Sequence, residues 1–197
     1  GRQQGATLFM TMLAAFKVML YRYTGQSDIS VGTSIANRPH KDLEGLAGFF
    51  VNTLALRTEV NGDTSFTGLL QQVKSTTVEA YDHQDVPFEK VVEAVVKDRD
   101  MSRSPLFQVM FVLRNTPEIP PLRLNEVVLS VQKYEHTSTL FDITLFITEN
   151  EEGLHCNVEY STSLYAEQTI TRMMSQFVEL LYSIIRKPDQ KVGVLAI

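Results

Sequence analysis

The stretch Gly48-Phe49-Phe50-Val51-Asn52-Thr53-Leu54-Ala55-Leu56-Arg57-Thr58-Glu59-Val60 decides the architecture. Apolar side chains fall on both alternating faces: Phe50, Leu54 and Leu56 on one, Phe49, Val51 and Ala55 on the other. A strand apolar on both faces belongs at the centre of a sheet covered on both sides. Asn52 and Thr53 interrupt the run, and a buried Asn amide must find a hydrogen-bond partner in the protein, a water or a ligand. Asn61-Gly62-Asp63 ends the strand. Thr64 or Ser65 then caps a helix that carries Phe66, Leu69, Leu70 and Val73 on one face.

Upstream, Ala6 to Tyr23 repeats apolar residues on two adjoining stripes, Leu8, Met12, Ala15, Met19 and Phe9, Leu13, Phe16, Leu20. This is a buried helix stopped by Gly25. Lys17 interrupts its apolar run, which argues against a secretory signal or a membrane span and for a helix in a chain cut from something longer. Asp28 to Ala36 reads as a strand, and Asn37 to Gly45, with Pro39, as a loop.

Downstream, Pro87 fits the first turn of a helix with Phe88, Val91, Val92, Val95 and Val96 inward. Leu106–Leu113 is an apolar strand, and Asn115–Pro121 is an irregular connection rich in proline. Strands are expected at Val127–Tyr134, Phe141–Thr148 and Leu154–Ser161, the last two joined as a hairpin. A final helix turns Ile170, Met173, Met174, Phe177, Leu180, Leu181, Ile184 and Ile185 inward until Pro188, and the tail to Ile197 reads as a linker. The order α-β-β-α-α-β-β-β-β-α is not a doubly wound alternation. It predicts an α/β chain of the α+β kind, a mixed sheet with packed helices.

At 197 residues the chain is one large domain or two small lobes. A net charge of -5 without a basic stripe disfavours nucleic acid. Cys156 is the sole cysteine, which excludes an internal disulfide and any multi-cysteine metal site, and points to a soluble, cytoplasmic protein. Neither a Gly-rich phosphate loop nor a Gly-x-Ser-x-Gly elbow occurs. His40, His83, His136 and His155 each stand alone, so no metal site is expected.

Three denser segments stand out: Gly48-Phe49-Phe50-Val51-Asn52-Thr53, His83-Gln84-Asp85-Val86-Pro87-Phe88-Glu89 and Arg99-Asp100-Met101-Ser102-Arg103-Ser104-Pro105-Leu106. Each has a plain structural explanation: a satisfied polar group, Asp and Pro as helix-start devices, and a loop tied by salt bridges. In this order, however, they resemble the three C-terminal signature motifs of condensation domains from nonribosomal peptide synthetases. Those patterns are Ile/Val-Gly-x-Phe-Val-Asn-Thr, His/Asn-Gln-Asp-Tyr/Val-Pro-Phe-Glu and Arg-Asp-x-Ser-Arg-Asn-Pro-Leu. Ala47 and Ser104 depart from them, the latter where Asn is usual. Epimerisation and heterocyclisation relatives carry Trp-Phe-Thr or Asp-Phe-Thr at the first motif, so the resemblance favours the peptide-bond-forming subtype.

The resemblance implies one lobe of the chloramphenicol acetyltransferase-like, CoA-dependent acyltransferase fold. Residues 1–187 would form the C-terminal lobe and 188–197 the start of a linker towards an adenylation domain. The family's catalytic His-His-x-x-x-Asp-Gly string does not occur in the chain, so no residue here is expected to be catalytic and the chain alone should be inactive. The implied role is to wall a substrate tunnel and offer carrier-protein docking surface. Asn52, Thr53, Arg103 and Ser104 would line the channel, Asn37 to Gly48 would form a floor loop, and Asn115 to Val128 a latch. Implied partners are the N-terminal lobe, peptidyl or acyl carrier domains and an adjacent adenylation domain, with neither nucleic acid nor membrane. The chain itself would bind no cofactor, the phosphopantetheine arm being carried by the carriers. Two other readings stay open: a non-catalytic carrier-protein interaction module, and a stand-alone CoA-dependent acyltransferase, which the missing His-x-x-x-Asp-Gly string disfavours.

Overall fold

The computed structural model describes residues 1, 4–38, 40–43, 45–98, 100, 103–114, 123–124, 127–128, 138–151 and 153–197. Helix α1 (Leu8–Thr24) begins where the Thr7 hydroxyl accepts the Met10 N–H at 3.2 Å. It ends at Gly25, whose φ of 71° lets its N–H return to the Tyr21 carbonyl at 2.8 Å. Strands β1 (Asp28–Ile35) and β2 (Asn52–Glu59) follow, then α2 (Phe66–Asp82), capped by Ser65. Next come α3 (Phe88–Val95), β3 (Val109–Arg114), and the short antiparallel pair β4 (Arg123–Leu124) and β5 (Val127–Val128). The hairpin β6 (Ile143–Asn150) and β7 (Gly153–Tyr160) leads to α4 (Glu167–Arg186).

Among the described residues, five strands form one mixed sheet in the order β2-β1-β3-β6-β7. β1 runs antiparallel to β2 and parallel to β3, β3 runs parallel to β6, and β6 antiparallel to β7. The expectation of a central, doubly covered strand at residues 48–60 is therefore wrong: β2 is an edge strand. Phe49 and Val51 lie before the strand begins, and Phe49 is 91% exposed. Within β2 itself the pattern is an ordinary alternation, with Leu54, Leu56 and Thr58 buried and Arg57 exposed.

Helices α1, α2 and α4 cover one face of the sheet. Phe16 of α1 stacks near Phe111 of β3 at 5.9 Å and Phe177 of α4 at 6.3 Å, in a core shared with Val31, Leu56, Leu145 and Ile147. The other face is covered unevenly. Phe107 sits 5.5 Å from both Phe88 and Phe141 and lies directly over Gly32, where a Cβ would come within 2.2 Å of the ring. Beyond Phe141, Val112 and Phe146 are only half-buried, Arg114 is exposed and Leu140 is 88% exposed. Of the expected inner faces, Val95 of α3 and Ile185 of α4 point outward, because α3 seats only Val92 and α4 seats Ile170, Met173, Phe177, Leu180 and Ile184.

Lys17 is fully buried in α1, and its ammonium donates to the carbonyls of Ile29 (3.2 Å) and Leu56 (2.7 Å) and to the Thr58 hydroxyl (2.8 Å). Its three protons thus bridge β1 and β2. Desolvation lowers its pKa to about 7 against the opposing pull of the Asp28 carboxylate.

The tail, expected as a linker, packs against the residues around α1 and the start of α2. Val192 and Leu195 are buried, Val192 N–H donates to the Thr64 carbonyl at 2.8 Å, and Arg22 donates to the Leu195 carbonyl at 2.7 Å. The latch assigned to Asn115–Val128 and the strand assigned to Val127–Tyr134 lie outside the described residues, apart from β4 and β5.

Candidate functional site

Asn52 is the first residue of β2, not a mid-strand residue, and it uses its whole amide. The Nδ2 group donates to the Gln84 and Val86 carbonyls, each at 2.8 Å. Oδ1 accepts the N–H groups of Thr53 at 2.9 Å and Phe88 at 3.1 Å. The first motif is thereby bolted to the second. Pro87 precedes α3 without a side-chain cap, and Asn52 supplies from another strand the acceptor that the first helical N–H needs. Asp85, expected as a helix-start device, makes no such bond. Thr53 pairs with Ser34 across the β1–β2 ladder.

The third motif closes the same region. Between α3 and this loop lies a cavity of about 550 Å³, walled by Phe88 and Val92 on one side and by Arg103, Ser104, Pro105 and Leu106 on the other. Second and third motifs therefore share one cavity, which holds Arg103 and Ser104 but not Asn52 or Thr53. Leu106 adopts a φ of 69°, unusual for a branched side chain, and borders this cavity and a neighbouring one near Asp28 and Arg57. Ser104 donates to the Leu140 carbonyl at 3.4 Å, a long contact, and its own carbonyl takes the Gln108 amide at 3.0 Å. Arg99, Met101 and Ser102 lie outside the described residues.

A second concavity, of about 390 Å³, opens on the less covered face of the sheet, between Ser34, Met110, Thr144 and Phe146. Arg114 borders it, its guanidinium 4.0 Å above the Phe146 ring. Sequence reasoning missed this residue, since an Arg ending an apolar strand looks like an ordinary exposed terminus. It missed the burial of Lys17 as well, although an apolar surround on every side of one lysine was a usable signal. His83 sits at the end of α2 with Nδ1 2.9 Å from the Glu79 carbonyl. Cys156 lies in a groove between β7 and α4, where desolvation raises its thiol pKa and opposes a nucleophilic role. Among the described residues no cluster of His, Cys, Asp and Glu could hold a metal ion. No described helix is long and apolar enough to cross a membrane.

The family model for the condensation domain matches residues 2–197. This chain belongs to the condensation domain family. It is 46% identical over 196 residues to a component of the linear gramicidin synthase of Brevibacillus parabrevis, and 43% identical over 196 residues to a component of the plipastatin synthase of Bacillus subtilis (strain 168). Those matches span 98% and 100% of this chain but 4% and 8% of the relatives. Among solved structures, a holo four-domain nonribosomal peptide synthetase bound to AMP and glycine superposes with a TM-score of 0.89 at 26% identity, covering 97% of this chain and 16% of that one. The X-domain from teicoplanin biosynthesis gives 0.88 at 25%, covering 100% of this chain and 45% of that one. In its complex with OxyB the same domain gives 0.84 at 26%, with 97% and 42% covered. The condensation domain is thus of the nonribosomal peptide synthetase type, and its mixed sheet with packed helices has the CoA-dependent acyltransferase-like fold.

Proposed function

We propose that this chain forms the C-terminal lobe of a peptide-bond-forming condensation domain, walling the substrate tunnel and lending docking surface to carrier proteins. The observation that carries this reading is the uneven sheet. One face is covered by three helices, while the other has Ser104 of the third motif beside Leu140 and leaves Leu140 and Arg114 exposed and Phe146 half-buried. An open, partly apolar face next to a motif cluster is what half of a tunnel looks like before the other half covers it. The chain also holds none of the family's His-His-x-x-x-Asp-Gly string and spans under half of the X-domain chain it superposes on.

In the complete domain, the amine of an acceptor aminoacyl thioester attacks the carbonyl carbon of a donor thioester. A C–N bond forms, the C–S bond breaks, and the amine gives up a proton as the thiolate leaves. Both substrates arrive on phosphopantetheine arms of carrier proteins, and the lobe contributes by holding them in line. Asn52 acts by fixing the second motif, Thr53 by holding the Asn52 amide and the β1–β2 ladder, and Arg103 and Ser104 by facing the channel. The N-terminal lobe, carrier domains and an adenylation domain are its partners, in the cytoplasm.

A second reading, an interaction module without turnover, is favoured by the likeness to an X-domain that forms a complex with OxyB. The test is dipeptide formation from two loaded carriers. The chain alone should give none, and the chain reunited with a lobe carrying His-His-x-x-x-Asp-Gly should give product. Turnover by the chain alone overturns the lobe assignment, and no turnover by the reunited domain favours the interaction module.

A further inference from the structure

We infer that Arg114 is the anion contact that seats the phosphodiester end of a pantetheine-type arm on the open face of the sheet, an assignment that rests on the condensation reading above. Arg114 is exposed at the end of β3, and the central carbon of its guanidinium lies 4.0 Å from the centroid of the Phe146 ring. It forms no ion pair with a described residue. A guanidinium is itself a planar fork of N–H donors, the geometry that takes two oxygens of a phosphate.

The adjoining concavity of about 390 Å³ sets methylene and aromatic surface from Met110 and Phe146 beside the hydroxyl residues Ser34 and Thr144. That mixture suits a chain of methylenes interrupted by amides and carrying one negative charge. Glu159 fixes the direction. Its backbone pairs with Thr144, whereas that of Arg114 pairs with Thr148, so the two residues leave the sheet about 13 Å apart along the strands. An anion is attracted at the Arg114 end and repelled at the other. The arm's opposite end then points towards Leu140, whose carbonyl faces the Ser104 hydroxyl of the third motif.

The test uses the complete condensation domain and two donor thioesters of the same aminoacyl group, one on phosphopantetheine and one on N-acetylcysteamine, which lacks the phosphate. Arg114→Gln should raise KM for the phosphopantetheine thioester by about tenfold or more, the loss of one charge-assisted contact. It should leave KM for the N-acetylcysteamine thioester unchanged, and Arg114→Lys should recover part of the loss. An equal loss with both thioesters assigns Arg114 a packing role or a contact with the aminoacyl group and overturns the inference. So does no loss with either. If the wild-type domain makes no product from either thioester, the condensation reading fails and takes this assignment with it.

Discussion

Replacing Asn52 by Ala removes four hydrogen bonds, three of which join β2 to the 84–88 turn. At about 0.5–1.5 kcal/mol net for each, and with water able to reach this half-buried site, the loss should be about 2–4 kcal/mol. Asn52→Asp is the sharper variant. It keeps the acceptor for Phe88 but turns a carboxylate oxygen towards the Gln84 and Val86 carbonyls. Repulsion should therefore raise the new carboxyl's pKa and make this variant more stable at acid pH relative to wild type. The assay is urea unfolding, with amide exchange at Phe88 reporting the helix cap. An Asn52→Ala variant within about 0.5 kcal/mol of wild type, with Phe88 exchange unchanged, refutes the clamp. In the complete domain, Asn52→Leu should impair condensation at matched folded fraction. Thr58→Val would not serve as a neutral comparison, because Thr58 is buried and accepts from Lys17. Exposed Glu59→Gln is the better control.

Three further outcomes are expected. Lys17 loses its proton near pH 7 in the folded chain and near 10.5 when unfolded, so the unfolded state holds more protons between these values and raising the pH favours folding. Wild-type stability relative to Lys17→Met should rise across that window by up to about 5 kcal/mol and level off below pH 7, and a flat difference contradicts the lowered pKa of Lys17. Gly32→Ala drives a methyl into Phe107 and Met110 and should destabilise by about 1–3 kcal/mol in thermal or denaturant melts, whereas a neutral effect would show that this face is loose. Leu195→Ala should cost about 2–4 kcal/mol because the tail is part of the core, and a linker residue would tolerate the change.

Local signals are readable where one residue settles the outcome. Gly25 stops α1, Ser65 opens α2, and Asn150 pairs with Gly153 where β6 and β7 form their hairpin, all as the residue types suggest. The failures share a cause: periodicity tells which side chains avoid water, not what covers them. Phe49 reads as a strand residue buried in a sheet, yet it stands in the approach to an edge strand. Val192 and Leu195 are too few to show a period, and they are buried only because the chain returns past Gly62 and Thr64. The three motifs are legible as a resemblance, but the bond from Asn52 to the Phe88 helix start spans 36 residues and depends on how β2 meets α3. Arg114 gains meaning only from the ring beneath it on the next strand.

Oxidative footprinting of the chain alone and joined to the His-His-x-x-x-Asp-Gly lobe tests most directly whether the open face is a tunnel wall. Leu140, 88% exposed on that face, should lose most of its labelling, with Phe146 following it, while Ile185, 75% exposed on α4, keeps its own. Unchanged labelling of Leu140 and Phe146, with protection at Ile185 instead, would place the partner on the helical side and contradict the tunnel-wall assignment.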